Sequence, residues 1–296
     1  MLSILIPVYN YPIATLLEGL SQSIEQINFN VEILCLEDGS TQFVDNNKSI
    51  CSGIKHASHI ISQKNKGRIT SRKHLAAQAK YSWLLFLDAD VELKDNQFLN
   101  NYSSYFKSDF EAIYGGCTYD VEKPIDSKLL RWKYGKTYED IEASLRNKSP
   151  YKYIVSANFL IKKTLLKDLF SSIEDEGYGY DILLGALMKS NNTRVLHINN
   201  PVIHKGLDDN KEFFNKVRKA VVTSYMLHRD ARLQISSSSL VKTFNFLKKL
   251  GLVRLVSLIF KFTKSKLTQN LLGINPNIKL LQFYKLGYLC TISLKE

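Results

Sequence analysis

The sequence predicts an α/β protein with an open, mostly parallel sheet flanked by helices. Three observations lead to this prediction. Short apolar runs alternate with helical patterns along the first part of the chain, the best of these runs is apolar throughout, and acidic residues follow two of them. About four such repeats in about ninety residues are typical of a parallel sheet covered on both faces, whose ligand crevice lies at the carboxyl ends of the strands.

The first elements follow from periodicity and turn residues. Pro7 and the turn Tyr9-Asn10-Tyr11-Pro12 end the first strand, and the basic loop 64–68 precedes the second helix. In order, the predicted elements are strand 2–8, helix 13–27, strand 31–36, strand 58–62, helix 69–80 and strand 83–87.

Beyond residue 110 the pattern is mixed. A polar, aromatic insert, 123–152, separates two predicted strands, and a Gly/Tyr loop at 174–180 leads into a helix. The remaining predicted elements are strand 112–119, strand 154–161, helix 165–170, strands 195–198 and 201–204 that complete the sheet, and a long basic helix 210–232. The serine run 236–239 is a plausible linker, which predicts a catalytic domain at 1–235 and a C-terminal extension at 236–296.

Acidic pairs stand at the ends of two predicted strands. Glu37-Asp38 follows the second strand, and Asp88-Ala89-Asp90 follows the buried run Trp83–Leu87. Neighbouring carboxylates at the end of a buried strand repel each other and lose hydration, so a positive group is expected beside them, most simply a divalent cation. There is no GxGxxG after the first strand and no GxxxxGK[ST], which argues against dinucleotide and P-loop sites.

Composition limits the alternatives. The chain has 296 residues, a formal charge of +12 and four cysteines without a CxxC pair, so we expect core thiols in a reducing compartment. No stretch reaches the ~20 uninterrupted apolar residues of a membrane span, and the N-terminus lacks the basic leader of a signal peptide. From Ser236 to Glu296 ten Lys or Arg face one acid.

The ordered set of motifs resembles the family 2 glycosyltransferases of the bacterial surface-polysaccharide type. The resemblance covers roughly residues 1–207. Its motifs are SILIPVYN, LEDGST, NKGRITSRKHLAAQAK, LLFLDADVEL, SANFLIKK, GYGYDILLGALMK and VLHINNPVIHKG. It implies a GT-A (Rossmann-like) fold and inverting transfer of a sugar from a nucleotide sugar, with UDP as the expected nucleotide, to a hydroxyl of a saccharide or polyprenyl-linked saccharide.

The resemblance also implies a metal and donor site. Asp90, with Asp88 beside it and His204 as a third ligand, would hold Mn²⁺ or Mg²⁺ on the donor diphosphate. Asp38 would contact the base and Arg68 and Arg72 the phosphates, although a solvated helix face explains these arginines as well. The implied donor-binding residues are Pro7, Val8, Tyr9, Glu37, Asp38, Lys66, Gly67, Arg68, Arg72, Asp88, Ala89, Asp90 and Asn158.

The resemblance places the general base in the Gly/Tyr loop. Family members carry a Glu-Asp pair where this chain has Tyr180-Asp181, so Asp181 is the natural base, with Glu176 and Asp175 as alternatives upstream. An Asp that only caps the following helix explains Asp181 without catalysis. A non-catalytic nucleotide-sugar binder and a nucleotidyltransferase are the alternative functions.

The tail allows two interpretations. Between residues 240 and 262, apolar residues alternate with Lys and Arg, as in a helix that lies on an anionic membrane surface. Helices packed on the catalytic domain with a solvated basic side explain the pattern equally well. Its apolar content argues against nucleic acid as the partner. We therefore expect a cytoplasmic protein, with peripheral attachment to the inner face of the membrane as one alternative.

Overall fold

The computed structural model describes residues 1–171, 173, 179, 181–230 and 238–295. Within these residues the chain forms two compact units. The first comprises Met1–Asp120, Asp140–Glu176 and Ser190–Gly206, and the second comprises Val121–Glu139, Gly177–Lys189 and Leu207–Glu296. Each unit has its own hydrophobic core.

A seven-stranded sheet forms the centre of the first unit. Its strands run in the order β3-β2-β1-β4-β8-β6-β9, and β8 alone among them is antiparallel to its neighbours. In chain order the strands are β1 (Leu2–Val8), β2 (Val31–Asp38), β3 (Ala57–Ser62), β4 (Trp83–Leu87), β6 (Ala112–Tyr114), β8 (Asn158–Lys162) and β9 (Val195–His197). The predicted α/β class with a mostly parallel, helix-flanked sheet is confirmed.

Six helices accompany the strands of this unit. They are α1 (Ala14–Ile24), α2 (Val44–Gly53), α3 (Arg68–Gln78), α4 (Phe98–Ser103), α6 (Ala143–Arg146) and α7 (Lys163–Ser171). The sequence did not predict α2, whose residues have little apolar periodicity. Tertiary contacts stabilise it instead: the amide of Asn47 donates to Glu37 Oε1 (2.8 Å) and to the carbonyl of Tyr11 (2.9 Å).

A second sheet of three strands corrects part of the prediction. The strands β5 (Val91–Leu93), β7 (Cys117–Thr118) and β10 (Val202–His204) pair in the order β5-β10-β7. The segment 201–204 therefore does not complete the main sheet, and the predicted strand 112–119 is interrupted. The interruption falls at Gly115-Gly116, where Gly116 has a φ of +97° that favours glycine. This second sheet brings the end of β10 next to the chain that leaves β4.

A buried histidine makes the stability of this unit depend on pH. His197 Nδ1 accepts a hydrogen bond from Arg146 Nη1 and its Nε2–H donates to the carbonyl of Pro150, both at 2.8 Å. Burial lowers the pKa of His197 to about 4; the bond to Pro150 opposes this shift, and the charge of Arg146 adds to it. His197 is therefore neutral in the folded protein.

We expect the free energy of unfolding to fall as the pH decreases from 6.5 to 4. In this range the unfolded chain binds a proton at His197 that the folded chain does not bind, so stability is lost by up to about 1.4 kcal/mol per pH unit. Urea unfolding of the wild type and His197→Gln at several pH values measures the effect. The variant should show a shallower pH dependence, and equal slopes would contradict this role for His197.

The second unit is helical. Its helices are α5 (Leu129–Tyr138), α8 (Asp181–Ser190), α9 (Asn210–Arg229), α10 (Ser239–Lys249), α11 (Val253–Leu272) and α12 (Ile278–Ile292). The long helix predicted at 210–232 corresponds to α9. The predicted amphipathic segment 240–262 is divided between α10 and α11 by Gly251, which has a φ of +70°. No helix in the described parts of the chain is long and apolar enough to cross a membrane.

Aromatic residues of the 123–152 insert pack inside this second unit. The Tyr134 ring lies 5.3 Å from that of Phe213 on α9 and 5.2 Å from that of Tyr138. Leu130 and Phe213 belong to the same buried cluster as Leu281 and Tyr284 of α12. The α9 side chains thus join the insert to the C-terminal helices in one core.

Candidate active site

The acidic motif lies at the carboxyl end of β4, in the middle of the main sheet. Asp88 is the first residue after the strand, and its amide donates to the carbonyl of Ala157 (3.2 Å). Its Oδ1 accepts a hydrogen bond from Arg72 Nη2 at 2.6 Å, and the same nitrogen donates to the carbonyl of Ser156 at 3.3 Å. Asp88 is thus part of a tight ion pair.

Arg72 corrects a sequence-based expectation. A solvated helix face was one of two explanations of this residue, yet Arg72 is only 5% exposed. It projects from α3, and its guanidinium reaches Asp88. A buried arginine needs such a partner, because an unpaired charge would be costly to bury. Arg68, one turn earlier on α3, is exposed at the surface.

Asp90 is held by the end of β10. The carbonyl of Asp90 accepts hydrogen bonds from the amides of Lys205 (2.9 Å) and Gly206 (3.3 Å), and its Oδ2 lies 3.6 Å from His204 Nε2. A β-carbon at residue 206 would overlap the Asp90 carboxylate, so only glycine allows this close approach. The antiparallel pairing of β5 and β10, with His204 opposite Val91, produces the arrangement.

The two carboxylates have opposite electrostatic environments. Burial raises the pKa of Asp88, but Arg72, then Arg68 and His204, more than offset this effect, so the pKa of Asp88 is lowered. Burial also raises the pKa of Asp90, and His204 opposes the shift only in part while the charge of Asp88 adds to it, so the pKa of Asp90 is raised. The described cations thus compensate the charge of Asp90 less than they compensate that of Asp88.

The residues around Asp90 suit a divalent cation. Oδ1 of Asp90 is buried and has no hydrogen-bond partner in the described structure. A carboxylate oxygen and an imidazole nitrogen are both ligands of Mn²⁺, and carboxylates are ligands of Mg²⁺. The described residues include no group of three or more His, Cys, Asp or Glu placed to hold a metal ion. Among the described acidic, histidine and cysteine side chains, Asp90 and His204 are thus a pair that could contact a cation at this point.

Loops at the ends of β1 and β2 hold each other in place. Oδ1 of Asn10 accepts hydrogen bonds from the amides of Thr41 (2.7 Å) and Gln42 (3.1 Å), and the Asn10 amide donates to Ser40 Oγ (2.9 Å). The predicted donor residues Pro7, Val8 and Tyr9 immediately precede Asn10, and Tyr9 is 56% exposed. Hydrogen bonds thus fix the backbone after β1, where the aromatic side chain of Tyr9 is exposed.

Asp38 organises the basic loop before α3. Its Oδ1 and Oδ2 accept hydrogen bonds from the amides of Lys66 (2.8 Å) and Gly67 (2.9 Å). Gly39, with a φ of +71°, lets this loop approach so closely that a β-carbon would overlap the amide of Asn65. The structure therefore brings Asp38, Lys66, Gly67 and Arg68 together at one end of the sheet.

Glu37 and Asn158 have positions that differ from the other predicted donor residues. Glu37 is fully buried, with Oε1 bonded to Asn47 (2.8 Å) and 3.3 Å from His59 Nε2. The amide of Asn158 donates to the carbonyls of Gly116 and Asn200 (both 2.9 Å), and its oxygen accepts from Tyr102 (2.7 Å). Both side chains join elements of the fold, so we do not include them in the proposed donor site.

Tyr11 belongs to the surroundings of Asp90, and the sequence-based prediction missed it. Burial raises the pKa of Tyr11, and the negative charges of Asp90 and Glu92 raise it further. The sequence places Tyr11 in the turn after β1, where it was counted only as a turn residue. Its distance of 79 positions from Asp90 left no local signal of their proximity.

The predicted general base lies in the second unit. Asp181 is the first residue of α8, so its carboxylate lies in the first turn of the helix. Asp181 therefore lies within the helix and not at the N-cap position that the sequence suggested. An acid in the first turn is still favoured by the helix dipole. Glu176 and Asp175 lie outside the described residues.

Removing the Arg72 side chain is expected to destabilise the protein. Arg72→Met leaves Asp88 without its partner, which costs roughly 3 kcal/mol for a buried pair. Chemical denaturation measures the loss. The same substitution at the exposed Arg68 should change stability by less than about 0.5 kcal/mol. A double variant Arg72→Met/Asp88→Asn should lose less than the sum of its single variants, and strict additivity would contradict the coupling.

Comparison with solved structures defines the fold class. The chain matches S. aureus TarS 1–349 in complex with UDP-GlcNAc at a TM-score of 0.54 and 15% identity, covering 99% of this chain and 91% of TarS. It also matches glucosyl-3-phosphoglycerate synthase from Mycobacterium tuberculosis in complex with Mn²⁺, UDP and glucosyl-3-phosphoglycerate, at a TM-score of 0.53 and 16% identity, covering 77% and 79% of the two chains. The fold is that of the GT-A glycosyltransferases.

Sequence comparison gives the family. The sequence profile of Glycosyl transferase family 2 matches residues 3–170, more than half of the chain. The chain therefore belongs to this family. It is 27% identical over 183 residues to glycosyltransferase GlyG of Streptococcus pneumoniae, and 30% identical over 125 residues to an uncharacterized glycosyltransferase of Rickettsia conorii. The alignments cover 58% and 38% of this chain, and 59% and 20% of those relatives.

Proposed function

We propose that the protein is an inverting, metal-dependent glycosyltransferase that moves a sugar from a nucleotide sugar to a hydroxyl of a saccharide or lipid-linked saccharide. One observation carries the proposal. At the carboxyl end of β4, Asp90 has a buried oxygen with no hydrogen-bond partner among the described residues, and it lies next to His204. In a family 2 glycosyltransferase, the cation of a donor diphosphate is a ligand that would satisfy this oxygen and suits the neighbouring imidazole.

The donor would bind along the carboxyl ends of β1, β2 and β4. Pro7, Val8 and Tyr9 would form one wall of the nucleotide pocket. On the other side, Asp38 would set the position of the loop that carries Lys66, Gly67 and Arg68. The UDP in the two solved relatives supports a uridine nucleotide, and a positive side chain such as Arg68 suits the diphosphate.

Asp90 and His204 would hold a divalent cation, Mn²⁺ or Mg²⁺, with Asp88 and Ala89 beside them. Such a cation stabilises the charge that develops on the leaving diphosphate. Arg72 keeps Asp88 ionised and in a fixed position, because it both lowers the pKa of that carboxyl and bonds to it. The Mn²⁺ bound to glucosyl-3-phosphoglycerate synthase supports this part of the proposal by likeness of fold.

Asp181 would act as the general base, with Glu176 as the alternative. In the proposed step, the acceptor oxygen forms a bond to the anomeric carbon while the bond from that carbon to the diphosphate breaks. The acceptor proton goes to the carboxylate, and the nucleoside diphosphate leaves. A single displacement of this kind inverts the anomeric configuration. The helix dipole favours a negative charge in the first turn of a helix, which suits a carboxylate base at this position.

A donor-hydrolysis screen tests the proposed function. The purified protein is incubated with UDP-, GDP- and dTDP-sugars and Mn²⁺ or Mg²⁺, and release of nucleoside diphosphate is measured with and without a chelator. We expect release from one nucleotide class, lost on chelation. Metal-dependent thermal stabilisation by a nucleotide sugar without release would favour a binding protein. Neither release nor stabilisation by any donor would contradict the proposal.

A further inference from the structure

Helix α11 has a second apolar face that the core of its unit does not cover. Its buried residues Ser257, Phe260, Leu267 and Leu271 face the other helices, and Phe260 packs 5.0 Å from Tyr284. On another side lies the exposed stripe, defined here as Leu255, Leu258, Ile259 and Phe262. These side chains are between 44% and 80% exposed. Their spacing of three, one and three residues puts them on one face of the helix.

The end of α10 adds to this apolar surface. Phe246 is 61% exposed and Leu250, which follows α10, is 54% exposed. The left-handed turn at Gly251 and two further residues separate α10 from α11. Six large apolar side chains within seventeen residues are thus open to solvent. Contiguous apolar surface of this kind marks an interaction site in a folded protein.

The charged residues of the helices that carry this surface have one sign. Exposed basic residues lie next to the apolar side chains in the sequence; they are Lys242, Lys248, Lys249, Arg254 and Lys261. From Ser239 to Lys295 the sequence contains no Asp or Glu. No acid within α10, α11 or α12 can therefore neutralise these groups. A partner must both accept apolar side chains and carry negative charge.

We propose that the exposed stripe of α11 and the end of α10 bind the surface of an anionic lipid bilayer. Leucine, isoleucine and phenylalanine side chains would enter the acyl boundary, and the flanking lysines and Arg254 would contact the phosphates. A second copy of the chain fits less well, because it would bring the same positive charges together. A nucleic acid would leave the apolar side chains without a matching surface. The proposal concerns a surface distinct from the sugar-transfer site and does not depend on the donor.

Vesicle sedimentation tests the proposal with the full chain. The protein is mixed with vesicles of phosphatidylcholine, or of phosphatidylcholine with phosphatidylglycerol, and the bound fraction is measured at low and high salt. We expect binding to the anionic vesicles alone, weakened by salt because exposed charges are screened. Leu258→Glu/Phe262→Glu should reduce the bound fraction at least about tenfold, since two apolar contacts become repulsive charges.

A matched control separates position from charge. Val121 and Ile274 are also apolar, exposed residues of the second unit, 90% and 76% exposed, and lie outside the stripe. Val121→Glu/Ile274→Glu should retain most of the binding although it introduces the same charge. The proposal would be overturned if both double variants lost binding equally, or if the wild type did not bind anionic vesicles. It would also be overturned if light scattering showed a wild-type dimer that only Leu258→Glu/Phe262→Glu dissociates. Circular dichroism of both variants checks that they are folded.

Discussion

Replacing Asp90 by Asn is expected to lower the rate of nucleoside diphosphate release at least about 100-fold. Removal of a group that only hydrogen-bonds to a metal ligand typically costs about 10- to 100-fold, and loss of a direct ligand should cost at least the upper value. The substitution preserves the shape of the side chain and removes its charge. Within the described residues, Oδ1 of Asp90 is buried without a hydrogen-bond partner, and burial raises the pKa of this carboxyl. We therefore expect the loss to appear in both the metal requirement and the turnover rate.

The control for this variant is a distant aspartate. The Asp109 side chain is 93% exposed and lies 3.7 Å from Arg194, a surface pair of little energetic weight. Asp109→Asn should release nucleoside diphosphate at the wild-type rate. If Asp90→Asn retained more than about a tenth of the wild-type activity, a direct metal ligand at this position would be contradicted, because even supporting residues usually cost more.

Replacing Asp181 by Asn is expected to reduce turnover about 10²- to 10⁴-fold, the usual contribution of a general base, without weakening donor binding. An amide has nearly the shape of the carboxylate but cannot take up the proton of the attacking hydroxyl. The measurement compares nucleoside diphosphate release, with water as acceptor, and the dissociation constant of the donor. Loss of both would indicate a structural role for Asp181 in starting α8.

Asp209→Asn is a matched control for Asp181→Asn. Asp209 caps α9 in the same unit, with Oδ1 accepting a hydrogen bond from the amide of Glu212 at 2.8 Å. Asparagine caps a helix as well as aspartate does, so this variant should keep both activity and stability. If Asp181→Asn also kept full turnover, Asp181 would not be the base, and Glu176→Gln would be the next variant.

The sequence identifies the elements whose signal is local. The run Trp83–Leu87 is apolar throughout because both faces of β4 are covered, and the predicted strand coincides with the observed one. The acidic motif after this strand can also be recognised from the sequence, because paired carboxylates at the end of a buried strand have few explanations. The strand order and the antiparallel direction of β8 could not be predicted in this way, since they depend on pairing between segments that are distant in the sequence.

The burial of several predicted site residues shows the limits of periodicity. Arg68 and Arg72 look alike in the sequence, one helical turn apart, yet one is exposed and the other pairs with Asp88 inside the protein. Glu37 and Asp38 are adjacent acids, but successive strand residues point to opposite faces, so Glu37 faces the core and Asp38 the loop before α3. Which of two similar residues is buried depends on the tertiary contacts of its side chain, and the local sequence does not contain this information.

The position of His204 depends on a contact that no local pattern predicts. Pairing of β10 with β5 sets it beside Asp90, more than a hundred residues earlier in the chain. Only the resemblance to family 2 glycosyltransferases suggested its role. The structure adds the contact between the two side chains.

Equilibrium binding of Mn²⁺ tests the central claim most directly. Free Mn²⁺ is followed by electron paramagnetic resonance while wild-type protein, Asp90→Asn and His204→Gln are each titrated with and without UDP. We predict that the wild type binds the ion tightly only with UDP present, and that each variant binds it at least about tenfold more weakly. Equal Mn²⁺ affinity in wild type and both variants would contradict a metal-diphosphate site at Asp90 and His204.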